Sequence, residues 1–134
     1  MSQKNVEIVL SAFEAFEDGD MEGVLRFCDD NIEIIQPAEL PGVSPRQHGH
    51  AGVLEAFAVW PEQWDDFRID ILRVTDTGDN VLVTTLQSGI GKASGVRVET
   101  RFSFLFSLRA GKITEWRMFM QEAEALKAVG LPDG

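Results

Sequence analysis

Alternation of apolar residues in the stretch 96–121 constrains the fold of this 134-residue chain most strongly. Apolar side chains occupy positions 96, 98, 102, 104, 106 and 108, a period of two that is typical of a strand with one buried face. A reverse turn at Arg109–Lys112 leads into a second predicted strand, Ile113–Met120. The stretch predicts a long antiparallel hairpin that the rest of the chain covers.

Length and composition predict a single globular domain, residues 1–134. The hydrophobic content of 44% argues against a disordered chain. The single cysteine, Cys28, excludes an internal disulfide and a thiolate metal cluster and indicates a reducing compartment. Because the sequence also lacks a signal-peptide pattern and any run of 18 apolar residues, we expect a cytoplasmic protein with no membrane partner.

The net charge of −10 argues against a nucleic-acid partner, because phosphate contacts need clustered Lys and Arg side chains. Acidic residues concentrate within positions 14–33, where we interpret them as solvated helix faces. A calcium loop is a poorer interpretation, since the segment DGDMEG lacks regularly spaced oxygen ligands. We therefore expect neither a metal nor a cofactor.

Periodicity along the rest of the chain predicts the order ααβαββββα. Pro37 closes the first strand and Pro61 ends the third helix, while Trp64 lies in a turn and residues 37–49 form a loop at the rim of any pocket. Strands adjacent in sequence favour a mostly antiparallel sheet with helices on one face, an α+β fold. The expected helices are 3–17, 21–28, 51–60 and 122–128, and the expected strands are 31–36, 67–74, 81–90, 96–108 and 113–120.

Four sequence segments are informative when they occur together in this order: FEAFEDGD, DDNIEIIQP, HGHAGVLEAF and FLFSLRAGKITEWRMFMQEAEALKAVGL. Together they resemble the nuclear transport factor 2-like superfamily, specifically its SnoaL-like polyketide-cyclase branch, over essentially the whole chain. The resemblance implies a ketosteroid-isomerase-like cone, in which a strongly curved sheet wraps around N-terminal helices and leaves a pocket at its open end. It also implies a homodimer through the convex sheet face, but the fold alone does not fix a function.

The resemblance places unreactive residues where relatives carry out proton transfer. The general base of the ketosteroid isomerases falls at Gln36, and their oxyanion-hole tyrosine falls near Ala12. The acidic and histidine positions of cyclase-like relatives fall at Gln121 and Phe104. An amide cannot accept a proton at neutral pH, so we reject steroid isomerisation by that route and leave open whether the chain is an enzyme.

Two registers of the predicted hairpin are compatible with the sequence. In the first, Ala110-Gly111 is a two-residue turn, Leu108 pairs with Ile113, and Arg117 lies opposite Phe104 on the pocket face. We favour this register because it places the two polar positions of the relatives on one face.

The second register has a three-residue turn, Arg109–Gly111, with a bulge. Because side chains alternate along a strand, the bulge would reverse the faces of the second strand. Trp116, Met118 and Met120 would then join the phenylalanines of the first strand in place of Arg117.

On the favoured register, the aromatic face forms the wall of a pocket for a small apolar or aromatic molecule that bears one acidic or carbonyl oxygen. Arg117 suits a carboxylate or enolate oxygen, although an ion pair with Glu99, Glu115 or a neighbouring acid is the simpler interpretation. Gln36 and Gln121 would also orient the polar end. The predicted ligand-binding residues are Phe13, Gln36, Trp60, Phe102, Phe104, Phe106, Arg117, Phe119 and Gln121.

The candidates for an acid–base residue are Glu115, His48 and His50. Glu115 could act as a base if it were buried, but a glutamate beside a strand turn is normally solvated. Two histidines are too few for a metal site unless a carboxylate such as Glu39 joins them. Capping of a helix by His50 and loop packing by His48 are the simpler interpretations.

Three functions remain open from the sequence. The chain could be a small-molecule binding protein, or an isomerase, cyclase or hydrolase that uses Glu115 or a histidine as base. It could also be a non-catalytic homodimeric interaction or adaptor domain. An open cavity under the aromatic strand would favour the first two, and a solid interior would favour the third, whose interaction face would contain Arg101, Trp116, Met118 and Met120.

Overall fold

A computed structural model describes residues 2–37, 45–78 and 80–130, without the side chains of Ser2, Val59, Trp60 and Pro61. The helices in these residues are α1 (Ser2–Glu17), α2 (Met21–Arg26), α3 (Gly49–Gln63) and α4 (Glu122–Ala128). The strands are β1 (Cys28–Ile35), β2 (Arg46–His48), β3 (Trp64–Asp76), β4 (Asn80–Gly91), β5 (Arg97–Arg109) and β6 (Lys112–Phe119).

The six strands form one curved sheet in the order β2-β1-β6-β5-β4-β3. All neighbouring strands are antiparallel except β1 and β6, which run parallel. Helices α1 and α3 cover the inner face because their apolar residues recur at helical spacing and bury Val9, Phe13, Val53 and Phe57. The predicted α+β cone is confirmed. No helix within the described residues is long and apolar enough to cross a membrane.

The first helix ends where the sequence indicates, and the second begins where it indicates. Gly19, at φ +74°, follows α1 and takes the left-handed conformation that ends the helix. Asp20 then caps α2, because its Oδ1 accepts a hydrogen bond of 2.9 Å from the backbone N–H of Gly23. Helix α2 is shorter than predicted, since the backbone N–H of Ile113 in β6 donates to the carbonyl of Phe27 and β1 begins at Cys28.

Two further boundaries differ from the prediction. Strand β2 lies within the expected loop, where its residues Arg46–His48 pair antiparallel with Glu33–Ile35 of β1. The sequence did not predict this strand, because its three residues show no apolar alternation. Helix α3 passes through Pro61 to Gln63, since a proline removes one helical hydrogen bond without ending the last turn, and Trp64 begins β3 instead of lying in a turn. The predicted loop residues 38–44, Glu39 among them, lie outside the described residues.

The hairpin of β5 and β6 has the two-residue turn that we favoured. Ala110 and Gly111 have φ values of +52° and +79°, the left-handed pair that a tight hairpin with matching strand twist requires. Arg109 pairs with Lys112, and Leu108 pairs with Ile113. The turn was therefore predicted correctly.

The favoured register is wrong beyond Ile113, because Thr114 forms a bulge. Ser107 pairs with Glu115, so that Thr114 has no partner residue of its own in the ladder. From there Phe106 pairs with Trp116 and Phe104 with Met118, instead of Glu115 and Arg117. One extra residue reverses the faces of the rest of β6 and places Trp116 and Met118 on the inner face.

The reversed face allows an aromatic core to close around Phe13 of α1. The ring centroid of Phe13 lies 5.6 Å from that of Phe104, 5.5 Å from Phe106 and 5.9 Å from Trp116. Phe106 and Trp116 are themselves 4.8 Å apart, and all four side chains are buried. These edge-on contacts are the geometry that aromatic rings prefer, and they replace the predicted contact between an arginine and the phenylalanines.

Thr114 stabilises the bulge through its hydroxyl, which donates a 3.1 Å hydrogen bond to the backbone carbonyl of Ser107. We expect Thr114→Val to lower the free energy of unfolding in urea by about 0.5–1.5 kcal/mol, because the shape is kept and the hydrogen bond is lost. Thr100→Val is the matched control, since the side chain of Thr100 is half-buried on the neighbouring strand and no described residue hydrogen-bonds to it. Equal effects of the two substitutions would contradict a stabilising role of this bond.

Candidate functional site

The inner face of the sheet and the two covering helices enclose a small cavity of about 10 Å³. Phe13 and Phe57 reach it from the helices, and Phe104, Trp116 and Met118 reach it from the sheet. A cavity needs roughly 10–15 Å³ to hold one water molecule. The interior is therefore nearly filled by side chains, and the expected open pocket is not formed in this conformation.

Two half-buried rings lie where this interior approaches the surface. Phe16, near the end of α1, and Phe67, in β3, both line the cavity, and their ring centroids are 6.3 Å apart. Phe16 also lies 5.2 Å from Phe57. Both rings also pack against the buried core.

The polar groups in this interior are few. The indole N–H of Trp116 is buried and has no hydrogen-bond partner among the described residues. Gln87 also lines the cavity, and its amide nitrogen donates a long bond of 3.4 Å to the hydroxyl of Thr85. Leaving a buried donor unpaired costs about 1–3 kcal/mol. Trp116 therefore marks a point in an aromatic cage where an oxygen atom would be stabilised.

The structure divides the predicted ligand-binding residues between two places. Phe13 and Phe104 line the interior cavity, and Phe106 packs directly behind them against Trp116. Phe102 is buried further along β5, opposite Thr85 of β4. The fully buried Ala12, where a tyrosine stands in the isomerases, belongs to the same core.

The other predicted residues lie away from this cavity. Arg117 and Phe119 alternate with Trp116 and Met118, so they project from the opposite face of β6. Gln36 lies directly after β1 and near the end of β6. Gln121 is exposed before α4, and its side chain makes no capping hydrogen bond. The side chain of Trp60 lies outside the described residues.

Arg117, Phe119 and Gln36 do meet at a second place, a groove of about 210 Å³ at the ends of β1 and β6 beside α4, which we call the β1–β6 groove. The guanidinium carbon of Arg117 lies 4.9 Å from the ring centroid of Phe119. Gln36 is only 4% exposed, and neither polar atom of its side chain has a partner among the described residues. The lining residues are Ile35, Gln36, Pro37, Arg117, Met118, Phe119, Met120 and Glu124.

The candidate acid–base residues do not reach either place. Glu115 lies beside Glu33 of β1, on the face of the sheet opposite Trp116. His48 is exposed at the end of β2. His50 lies inside α3 rather than capping it, and its Nε2 donates a 3.0 Å hydrogen bond to the carbonyl of Cys28. In the described part of the chain, the interior cavity has no carboxylate, histidine or thiol in its lining.

Metal binding finds no support in the described residues, which contain no group of three or more His, Cys, Asp or Glu side chains placed to hold an ion. Cys28 is buried, and its Sγ lies 3.4 Å from the carbonyl oxygen of Val24. Burial raises the pKa of this thiol from 9.0 to about 12, and the charge of Lys112 offsets this only in part. The thiol is therefore protonated at neutral pH and is a poor nucleophile.

Sequence reasoning missed several residues of the two places. Phe57 has a helical spacing that predicts burial, but it was not assigned to the pocket. Ile69 lines the cavity from β3, and Gln87 lines it from β4. The sequence of these strands has no polar or aromatic pattern that points to a site. Trp116 was placed beside the phenylalanines only in the second hairpin register, which we did not favour. Glu124 enters the β1–β6 groove only because α4 packs beside β6.

Comparison with known proteins shows the family and the fold. The family model described as a SnoaL-like domain matches residues 9–116. The crystal structure of TerC co-crystallised with polyporic acid has 23% identity and a TM-score of 0.80, with 94% of this chain and 98% of that chain covered. No curated protein matches the sequence at a comparable level of significance.

Two other solved structures give the same result. An NTF2-like protein from Burkholderia xenovorans LB400 has 26% identity and a TM-score of 0.78, and the match covers 97% of this chain and 98% of that chain. A proposed SnoaL-like polyketide cyclase from Jannaschia sp. CCS1 has 23% identity and a TM-score of 0.78, with coverage of 98% and 94%. The resemblance stated from the sequence is thereby confirmed at the level of family and fold.

The raised pKa of Cys28 predicts a pH dependence of stability. The pKa of the thiol is 9.0 in the unfolded chain and about 12 in the folded chain. Its contribution to the free energy of unfolding is therefore complete below pH 9 and is lost as the pH rises towards 12. We expect the free energy of unfolding of the wild-type protein to fall more steeply above pH 9 than that of Cys28→Ala. Parallel pH curves for the two proteins would contradict the burial of the thiol.

Proposed function

This chain belongs to the SnoaL-like domain family, and on that basis we propose that it binds a small apolar or aromatic molecule in the interior of the cone. The observation that carries the proposal is the buried indole N–H of Trp116, which has no partner among the described residues and sits in an aromatic cage. An oxygen atom on the ligand would accept this hydrogen bond.

The surroundings of Trp116 favour an uncharged oxygen. Phe13, Phe57 and Phe104 supply flat apolar walls for a ring, and Gln87 supplies the one side-chain amide of the described lining. The lining has no cationic side chain among the described residues. Because burial of an unpaired carboxylate is costly, a ketone or another carbonyl compound fits this interior better than an organic acid.

Entry of such a molecule requires the interior to expand beyond about 10 Å³. The half-buried rings of Phe16 and Phe67 line the cavity where it approaches the surface, and their movement would open it. Aromatic rings that reorient around a small void are a common basis for pockets that form on binding. The proposal is binding rather than catalysis, because the described lining contains no group that could accept a proton.

A relative supports the ligand class in broad terms. TerC was crystallised with polyporic acid, which makes that compound a useful comparison for the uncharged aromatic ketones that this interior favours. An enzymatic function, as an isomerase, cyclase or hydrolase, would need a base from outside the described lining of the cavity.

The matched ligands 1-tetralone and tetralin, which differ by one carbonyl oxygen, test the role of Trp116 by calorimetry. We expect the ketone to bind the wild-type protein more tightly, and Trp116→Phe to weaken ketone binding about twofold to tenfold while leaving tetralin unchanged. Phe119→Leu, on the opposite face of β6, is the control and should not alter either affinity. Failure of both ligands to bind, or a ketone preference that persists in Trp116→Phe, would contradict the proposal.

A homodimeric interaction domain is the second candidate, and the nearly filled interior favours it by the criterion set from the sequence. Large apolar side chains are exposed on β3 and around the start of β5, namely Ile71, Leu72, Val96 and Val98. Such exposure on a sheet is typical of a protein interface. Of the residues predicted on the interaction face, Arg101 and Met120 are exposed, whereas Trp116 and Met118 are buried inside the cone, which corrects their assignment.

Light scattering tests this candidate at micromolar concentration. A dimer should dissociate on Leu72→Lys, because Leu72 is 47% exposed and a lysine there would place a charge in the interface. Leu54→Lys is the control, since Leu54 is 43% exposed on α3, away from the strands that carry the apolar residues. A wild-type monomer would rule the candidate out.

A further inference from the structure

Arg117 differs from every other arginine of the chain in its exposure. The chain has eight arginines, all within the described residues, and Arg117 is the one that is half-buried, whereas the other seven are exposed. It nevertheless has no carboxylate partner among the described residues, although the net charge of the chain is −10. The arginines that do form ion pairs are Arg46, Arg68, Arg73 and Arg97.

The contact that Arg117 does make leaves its donors available. Its guanidinium lies over the ring of Phe119, at 4.9 Å from the centroid, where the cation is attracted to the face of the ring. This contact occupies one flat side of the group and none of its five N–H donors. A guanidinium held in this way presents its edge, which matches the two oxygens of a carboxylate.

Gln36 is a second unpartnered polar group at the same groove. The residue is only 4% exposed, and both the amide nitrogen and the amide oxygen are buried and lack a partner among the described residues. Its backbone is fixed by a 2.8 Å hydrogen bond from its N–H to the carbonyl of Pro45. The amide therefore closes the end of the groove without reaching into it, and the half-buried cation without an acid is the group that indicates a missing anionic ligand.

The rest of the lining defines the body of that ligand. The β1–β6 groove has a volume of about 210 Å³, against about 10 Å³ for the interior cavity. Ile35, Pro37, Phe119 and Met120 give it apolar walls. From these features we propose that the β1–β6 groove is a second binding site, which takes a small carboxylate with an apolar body.

The two sites lie on opposite faces of β6, although Met118 lines both. Trp116 faces the interior cavity, whereas Arg117, the next residue, projects from the other face of β6. The carboxylate is held at the Arg117 guanidinium, and the apolar body lies against Phe119 and Met120. No bond to the ligand is made or broken, so the site requires no further reactant.

Glu124 gives the site a distinctive electrostatic property. This exposed residue of α4 also lines the groove, yet it forms no ion pair with Arg117. Its negative charge repels an incoming carboxylate and so limits affinity. Replacement of Glu124 by glutamine should therefore tighten binding, an effect that a ligand in the interior cavity would not show.

The test uses the full chain with 3-phenylpropionate and its uncharged match, 3-phenylpropan-1-ol, measured by calorimetry at low and high salt. We expect the wild-type protein to prefer the carboxylate, with a preference that weakens as salt is added. Arg117→Ala should weaken carboxylate binding roughly tenfold or more, and Arg117→Lys should weaken it less, since the charge remains without the bidentate geometry. Glu124→Gln should tighten it about twofold to fivefold.

The controls separate this site from general charge effects and from the interior. Arg109→Ala removes an equal charge from an exposed arginine of the same hairpin and should leave the affinity unchanged. Trp116→Phe should also leave it unchanged, so that failure here is distinguishable from failure of the interior site. Equal binding of the alcohol and the carboxylate, absence of carboxylate binding at millimolar concentration, or retention of affinity in both Arg117 variants would overturn the proposal.

Discussion

The bulge at Thr114 determines which face of β6 each later residue occupies. A strand alternates its side chains strictly, so one additional residue reverses every position that follows it. Without the bulge, Arg117 would enter the aromatic interior as a charge with no acid beside it. With the bulge, Trp116 enters instead and packs against Phe13 and Phe106. The register is thus stabilised by the burial of a large aromatic ring and by the cost of burying a guanidinium.

The same register positions the C-terminal helix. Phe119, turned to the outer face, packs with Leu82, Leu105 and Ala125 in a second apolar cluster that anchors α4. Polar contacts reinforce this anchor, because the hydroxyl of Thr84 donates to Glu122 at 2.5 Å, and Arg73 lies 3.2 Å from the same carboxylate. The docked helix brings Glu124 to the β1–β6 groove. A single structural irregularity therefore defines both the aromatic interior and the groove.

The sequence predicts the overall architecture because its strongest signals are local. Alternation at Phe102, Phe104 and Phe106 requires a strand with one buried face, and the positive φ of Gly111 is accommodated by the residue type itself. Strand β2 could not be predicted, since Arg46–His48 forms a strand only through its pairing with β1. The sequence allowed a bulged register as the alternative but could not select it, because the choice between Trp116 and Arg117 depends on Phe13 and Phe57, which lie in distant parts of the sequence. The polar site residues were identified by type but assigned to a shared pocket that the structure divides.

Backbone NOEs between β5 and β6 test the register, and with it the account, most directly. In an isotopically labelled sample, the account predicts NOEs between the directly opposed backbones of Phe106 and Trp116 and of Phe104 and Met118. NOEs that instead connect Phe106 with Glu115 and Phe104 with Arg117 would show an unbulged hairpin. Arg117 would then face the aromatic interior, and the division into an aromatic cavity and a separate charged groove would be wrong.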